Sequence, residues 1–224
     1  DPDRRREIET ESVSLPRLNL TTRQIYDLEL LLNGGFSPLE GFLEEADYNS
    51  VVRNMRLKNG ILWPIPIVLD VPKEAIPEKG RKILLCDQFG KPLAVLTVTS
   101  IYQPDKQCEA LDVYGTTDRL HPGVRYLFEN THDTYLGGRV RGLARADTHD
   151  FHELRYTPRE LRERFAQKGW DRVIGFQTRN PLHRAHFELI QRAAREHNGR
   201  VLIHPVVGLT KEGDIDYLTR VRCY

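Results

Sequence analysis

The sequence predicts an α+β half followed by the start of an α/β half, and three observations carry that division. Between Leu62 and Val113 the apolar runs are short, rich in β-formers and broken by Pro64, Pro66, Gly90 and Pro92, as expected of strands separated by turns. After Phe151 the order becomes helix, strand, helix, strand, at the spacing of a βαβ unit, which requires a parallel sheet. No internal repeat or low-complexity linker interrupts either half. The expected domains are residues 1–152, a small mixed barrel or sheet, and residues 153–224, the beginning of a parallel α/β domain.

Each element has a local reason. Thr21 or Thr22 is placed to cap a helix whose apolar positions include Ile25, Leu28 and Leu32. Asn33-Gly34-Gly35 supplies residues suited to its end, and Ser37-Pro38 keeps the following backbone out of a helix. The loop so formed is expected to dock Phe36 and Leu39 into the core. ILWPIPIVLDV, RKILLCD and LAVLTVTSIYQP read as strands, with DQFGKP as the hairpin loop between the last two. Thr157-Pro158-Arg159-Glu160 opens a helix running through Ala166, with Thr157 as N-cap, Pro158 first in the helix and Glu160 closing the box. WDRVIGFQT then gives a strand, Pro181 to Glu196 a helix, RVLIHPVVG a second strand, and DYLTRVRCY the first turns of another helix. One βαβ unit cannot cover both faces of its sheet, so a longer protein is expected.

Composition narrows the function classes. With 224 residues, 39% hydrophobic and 29% charged, the chain is long and apolar enough for a globular core. Lys+Arg 33 against Asp+Glu 32 leaves a net charge of +1, so no global field recruits nucleic acid or a membrane surface, and any anion site is local. Cys86, Cys108 and Cys223 lie far apart with no CxxC pair, which argues against a disulfide framework or a cysteine zinc site and for reduced thiols in the cytoplasm. The leading segment DPDRRREIETES has no apolar stretch to serve as a signal or an anchor.

The densest polar cluster is Gln177-Thr178-Arg179-Asn180-Pro181-Leu182-His183-Arg184-Ala185-His186. It sits at the carboxyl end of a predicted strand and leads into a helix amino terminus, where parallel sheets place ligands and helix amides favour anions. His183 and His186 are three apart on the first turn of the expected helix, Arg179 offers a planar charged fork, and Gln177 and Asn180 add neutral donors. Together they suit a phosphate or sulfate. Duller readings remain for the parts: a surface cation at Arg179, a plain cap and first helical residue at Asn180-Pro181, and metal ligation by the histidines. HxxH lacks the spacing and the glutamate of a zinc-protease helix, and no protein-bound metal is expected. A second stretch, His204 to Asp214, with Gly208, Lys211 and Gly213, either lines the same crevice or is an ordinary strand-to-helix loop. It is neither a P-loop nor a dinucleotide fingerprint. His121, His132, His149 and His152 show no ligand spacing, and no nucleophile sits in a catalytic elbow.

VIGFQTRNPLHRAHFELIQRAAR followed by RVLIHPVVGLTKEGDIDYLTRVR closely resembles the ATP sulfurylase (sulfate adenylyltransferase) family, in the fungal form and its related bacterial form. LNGGFSPLEGFL, LWPIPIVLDV, LAVLTVTSIYQPDK and YLGGRV extend the likeness to the family's non-catalytic first domain, so it spans nearly the whole chain. The resemblance implies a PUA-like β-barrel domain followed by the start of a Rossmann-like HxxH nucleotidyltransferase domain. It also implies adenylyl transfer from MgATP to sulfate, giving adenosine 5'-phosphosulfate and pyrophosphate. Carried over by position, Gln177 and Arg179 hold sulfate, and Thr178 and Asn180 orient it and the phosphates. His183 and His186 stabilise the transition state and leaving pyrophosphate, and Gln177, Asn180, His183 and His186 border ATP. Magnesium arrives with the nucleotide, and the relatives imply a homo-oligomer, with a carboxyl-terminal adenylylsulfate kinase or its inactive version in some. The family's GRDHAG-type and ISGTELRR-like segments have no counterpart here, so these residues alone are expected to lack activity. Another HxxH-type nucleotidyltransferase and a nucleotide- or RNA-binding fragment are the alternatives; Arg179 with Gln177 speaks against the first, and the absence of a basic stripe with stacking aromatics against the second.

Overall fold

A computed structural model describes residues 8, 10–144, 150–207 and 213–224. His149 and the 208–212 part of the second candidate stretch lie outside the described residues. The chain divides into two compact units, Asp1–Pro158 and Arg159–Tyr224.

The first unit is built on a six-stranded mixed sheet. Strands β1 (Arg17–Asn19), β4 (Lys82–Cys86), β5 (Pro92–Tyr102) and β6 (Thr134–Gly142) lie side by side, and β2 (Gly41–Phe42) and β3 (Leu69–Val71) share the far edge of β6. Only β1 with β4 is parallel; the other pairs are antiparallel. The hairpin expected at DQFGKP joins β4 to β5. Asp87 accepts the backbone N–H groups of Phe89 and Lys91 through Oδ1, at 2.8 and 2.9 Å, as an aspartate at the head of a turn does.

Alternation along β4 and β5 divides their side chains between two cores. Ile83, Leu85, Ala94, Leu96 and Val98 join the largest cluster, whereas Leu84, Cys86 and Val95 pack on the other face with Ile8 and Leu143. Both faces of the central strands are therefore covered. β6 crosses its neighbours closely because of glycine: a Cβ on Gly41 would stand 1.9 Å from the Gly138 carbonyl oxygen, and one on Gly138 2.0 Å from that of Thr97. The Gly-Gly of YLGGRV is thus a packing requirement of the sheet.

Helix α1 (Thr22–Asn33) begins at Thr21, which with Gln24 forms a reciprocal capping box, and ends at Gly34 in the left-handed conformation. Its buried face holds Gln24, Leu28 and Leu31. Leu32, expected in that face, is 36% exposed, because a helical turn of 3.6 residues carries it past the core once Leu28 and Leu31 point inward. The buried Gln24 amide donates to the Asp70 carbonyl and carboxylate, at 3.0 and 2.8 Å, tying α1 to β3. Phe36 and Leu39 pack against the main cluster as expected.

One strand segment and three helices of this unit depart from the sequence reading. ILWPIPIVLDV forms a strand only at Leu69–Val71, plus an isolated bridge between Arg56 and Leu62; Pro64 and Pro66 lack the N–H a ladder needs. Three helices went unassigned: α2 (Glu45–Asn54), α3 (Lys106–Tyr114) and α4 (Pro122–Glu129). α3 and α4 carry signals, Asp105 as a capping residue and Pro122 at the first position, masked by neighbouring strands.

The second unit holds α5 (Pro158–Gln167), which begins at the expected proline on the unit boundary, then β7 (Val173–Thr178), α6 (Arg184–Glu196), β8 (Arg200–Pro205) and α7 (Tyr217–Arg222). β7 and β8 pair in parallel from Val173↔Arg200 to Thr178↔Pro205, as the βαβ reading requires. α6 starts three residues later than the expected Pro181, so Asn180-Pro181 is neither cap nor first turn. His183 takes the N-cap position instead. The Thr178–Asn180 turn consumes the residues the cap would have used.

Candidate active site

The carboxyl ends of β7 and β8 lie side by side, with Gln177 opposite His204 and Thr178 opposite Pro205. Val206 extends the pairing by donating its N–H to the Thr178 carbonyl at 2.9 Å. Gln177 and His204 are both exposed at this end, beside the loop that carries Arg179 and Asn180 into α6.

That loop is shaped by Thr178, which is 9% exposed. Its hydroxyl accepts the Asn180 N–H at 3.1 Å and donates to the Asn180 carbonyl at 3.0 Å. Thr178 therefore acts on its own backbone, its one O–H donor engaged with the Asn180 carbonyl, and it orients the loop that carries Arg179 and Asn180. The Arg179 guanidinium pairs with the Asp214 carboxylate, and both side chains are partly exposed. Asp214, at the end of the second candidate stretch, thus joins the cluster.

His183 and His186 stand at the amino terminus of α6 with ring centroids 5.3 Å apart. The His183 backbone N–H donates to His186 Nδ1 at 3.3 Å, which leaves Nε2 to present the ring's N–H. Its ring centroid lies 5.8 Å from that of Phe176 on β7. The helix amino terminus adds unpaired amides and a favourable dipole for an anion.

Beneath the loop, α7 is capped by Asp216, whose carboxyl is held below the usual aspartate range chiefly by the Thr219 backbone N–H. Arg220 on α7 and Tyr224 beyond it reach the loop carbonyls of Arg179 and Asn180, each at 2.6 Å. The sequence reading missed Arg220 and Tyr224; a charged residue in an apparently amphipathic helix gives no sign of what its carbon stem delivers it to. Gln177 stands near the end of β7, Arg179 and Asn180 lie on the loop that Thr178 shapes, and His183 and His186 stand at the α6 amino terminus. Among the described residues, no group of three or more His, Cys, Asp or Glu side chains is arranged to hold a metal ion.

Comparison with known proteins follows the same division. Residues 1–145 match the PUA-like domain family model and residues 152–224 match the ATP-sulfurylase family model. The sulfate adenylyltransferase of Chaetomium globosum is 54% identical over 229 residues, covering 100% of this chain. The chain belongs to the PUA-like domain family, and its residues 152–224 are similar to ATP-sulfurylase. A second relative, the sulfate adenylyltransferase of Coccidioides immitis, is also 54% identical across the whole chain. The chain spans 40% of the length of each of these relatives. Among solved structures, the hexameric APS kinase from Thiobacillus denitrificans matches with a TM-score of 0.79 and 32% identity, over 100% of this chain and 40% of that one. Among the described residues no helix is long and apolar enough to cross a membrane.

Proposed function

We propose that a protein carrying this chain as its amino-terminal part is a sulfate adenylyltransferase. A sulfate oxygen attacks the α-phosphorus of MgATP while the bond to the bridging oxygen of the β-phosphate breaks, giving adenosine 5'-phosphosulfate and pyrophosphate. The single observation that carries the reading is the polar constellation after β7: Arg179 on a loop shaped by Thr178, followed by the His183–His186 pair at the α6 amino terminus, a setting suited to an oxyanion.

In this reading Arg179 and Gln177 hold sulfate, Asn180 orients it against the nucleotide, and His183 and His186 donate to the phosphates and leaving pyrophosphate. Such in-line transfer needs positioning and stabilisation of developing charge rather than a covalent intermediate. Arg179 also pairs with Asp214, so an oxyanion substrate competes with that carboxylate for the guanidinium fork. Magnesium enters as part of MgATP. The finer architecture that goes with this function is a PUA-like β-barrel over residues 1–152 and the opening of a Rossmann-like HxxH domain over residues 153–224. A homo-oligomer is supported by the likeness to a hexameric protein, and cytoplasmic placement by three unpaired cysteines.

The test is molybdate-dependent release of AMP and pyrophosphate from MgATP by the full-length protein and its Arg179→Ala variant. Activity that the substitution reduces by at least a hundredfold is expected, since a charge-assisted fork to an oxyanion is lost. A parent that binds ATP yet shows no anion-dependent cleavage would overturn the assignment.

A further inference from the structure

Arg220 is only 3% exposed, yet its guanidinium makes a single described hydrogen bond, from Nη1 to the Arg179 carbonyl at 2.6 Å. Its Nε is buried without a partner. A buried cation is costly unless hydrogen bonds and counter-charge compensate, and an apolar side chain would fill the same space on α7 without that cost. The Tyr224 hydroxyl makes the adjacent contact, donating to the Asn180 carbonyl at 2.6 Å.

These two donors complete the restraint of the loop. The peptide joining Arg179 to Asn180 has its carbonyl bound by Arg220 and its N–H bound by Thr178 Oγ1. The following carbonyl, of Asn180, is bound by both Thr178 and Tyr224, and Pro181 contributes no N–H to that peptide. Both peptide planes are thus fixed, and with them the backbone from which the Arg179 and Asn180 side chains project. An oxyanion is repelled by free carbonyl oxygens, and here both are engaged. The Arg220 charge, held in a low-dielectric setting one peptide away, adds to the positive field at the site.

Resting on the function proposed above, we propose that Arg220 and Tyr224 are positioning residues for the oxyanion substrate, acting through the Arg179 and Asn180 carbonyls without touching it. They set the affinity for the tetrahedral anion far more than that for the nucleotide.

The experiment uses the full-length protein and molybdate as the probe anion, with Tyr224→Phe, Arg220→Lys and Arg220→Met variants. KM for molybdate, KM for MgATP, kcat and Tm are measured for each. Tyr224→Phe is expected to raise the molybdate KM about fivefold to tenfold, the effect of one lost hydrogen bond, with the MgATP KM within twofold and Tm unchanged. Arg220→Met is expected to raise it about a hundredfold, and Arg220→Lys to recover part of that loss. A role confined to stability would instead lower Tm and the active fraction while leaving both KM values at their parental levels. If the parent is active and Tyr224→Phe and Arg220→Lys keep its molybdate KM, the positioning role is wrong and the function stands. If the parent lacks anion-dependent cleavage altogether, the function fails and the positioning role falls with it.

Discussion

His186 performs two tasks that different substitutions separate. Its Nδ1 accepts the His183 N–H at 3.3 Å, closing the start of α6, and its Nε2–H remains to meet developing negative charge. The first task is modest: a long, half-exposed capping bond contributes about 0.5–1 kcal/mol, equivalent to a Tm change of about 1–4 °C in a protein of this size. The second is larger, because a donor preorganised at a transition-state oxyanion is worth about a hundredfold to a thousandfold in kcat. Glutamate at this third helical position restores the capping acceptor and carries no N–H to replace that of the imidazole Nε2. His186→Glu in the full-length protein is therefore expected to hold Tm within about 1 °C while kcat for molybdolysis falls by at least about a hundredfold. His186→Ala should lose both. Measuring Tm by calorimetry and AMP release by coupled assay separates the two effects. A His186→Glu enzyme retaining more than a third of parental kcat would refute the assignment of Nε2 as the donor.

Two further predictions concern the first unit. Burial raises the Asp27 carboxyl from 3.8 to about 6, against a partial opposing pull from Arg23. Between those values the folded state holds a proton that the unfolded state has released, so this group's contribution to stability falls as pH rises from about 4 to 6 and is flat above. The gap corresponds to up to about 3 kcal/mol. Asp27→Asn is expected to raise the urea midpoint at pH 7.5 and to leave it unchanged near pH 4; an equal shift at both would disprove the linkage. Gly41→Ala would drive a methyl to 1.9 Å from the Gly138 carbonyl oxygen, separating β2 from β6. Its expected cost is about 2–4 kcal/mol, read as a lower denaturant midpoint, and an unaltered midpoint would show that the sheet edge yields freely.

Much of this protein was legible in local sequence. The DQFGKP turn, the Thr21 cap, the Gly34 stop and the opening of α5 at Pro158 each follow from backbone constraints confined to a few residues, and the β7–α6–β8 order follows from periodicity. The polar cluster after β7 was legible for the same reason, since QTRNPLHRAH is contiguous. Its dense donors fall at a strand end whatever the rest of the chain does.

Tertiary structure decided the remainder, wherever partners are distant in sequence or compete for the same backbone. ILWPIPIV satisfies a strand's hydrophobicity but not its donors, and only Leu69–Val71 finds an edge of β6 free to pair. Gln24 looks like a surface residue of α1 until Asp70, 46 residues away, accepts its amide. Thr178 reads as a free donor until Asn180 takes up its hydroxyl, and α6 is capped at His183 because that turn has displaced the earlier cap. Arg179 meets Asp214 and Arg220 across 35 and 41 residues. The sequence by itself determined which chemical groups gather at the end of β7, because chain continuity puts them there. Which of them face a substrate and which hold the others in place was decided by the fold, because hydrogen-bonding capacity is finite and the nearest partner in space claims it first.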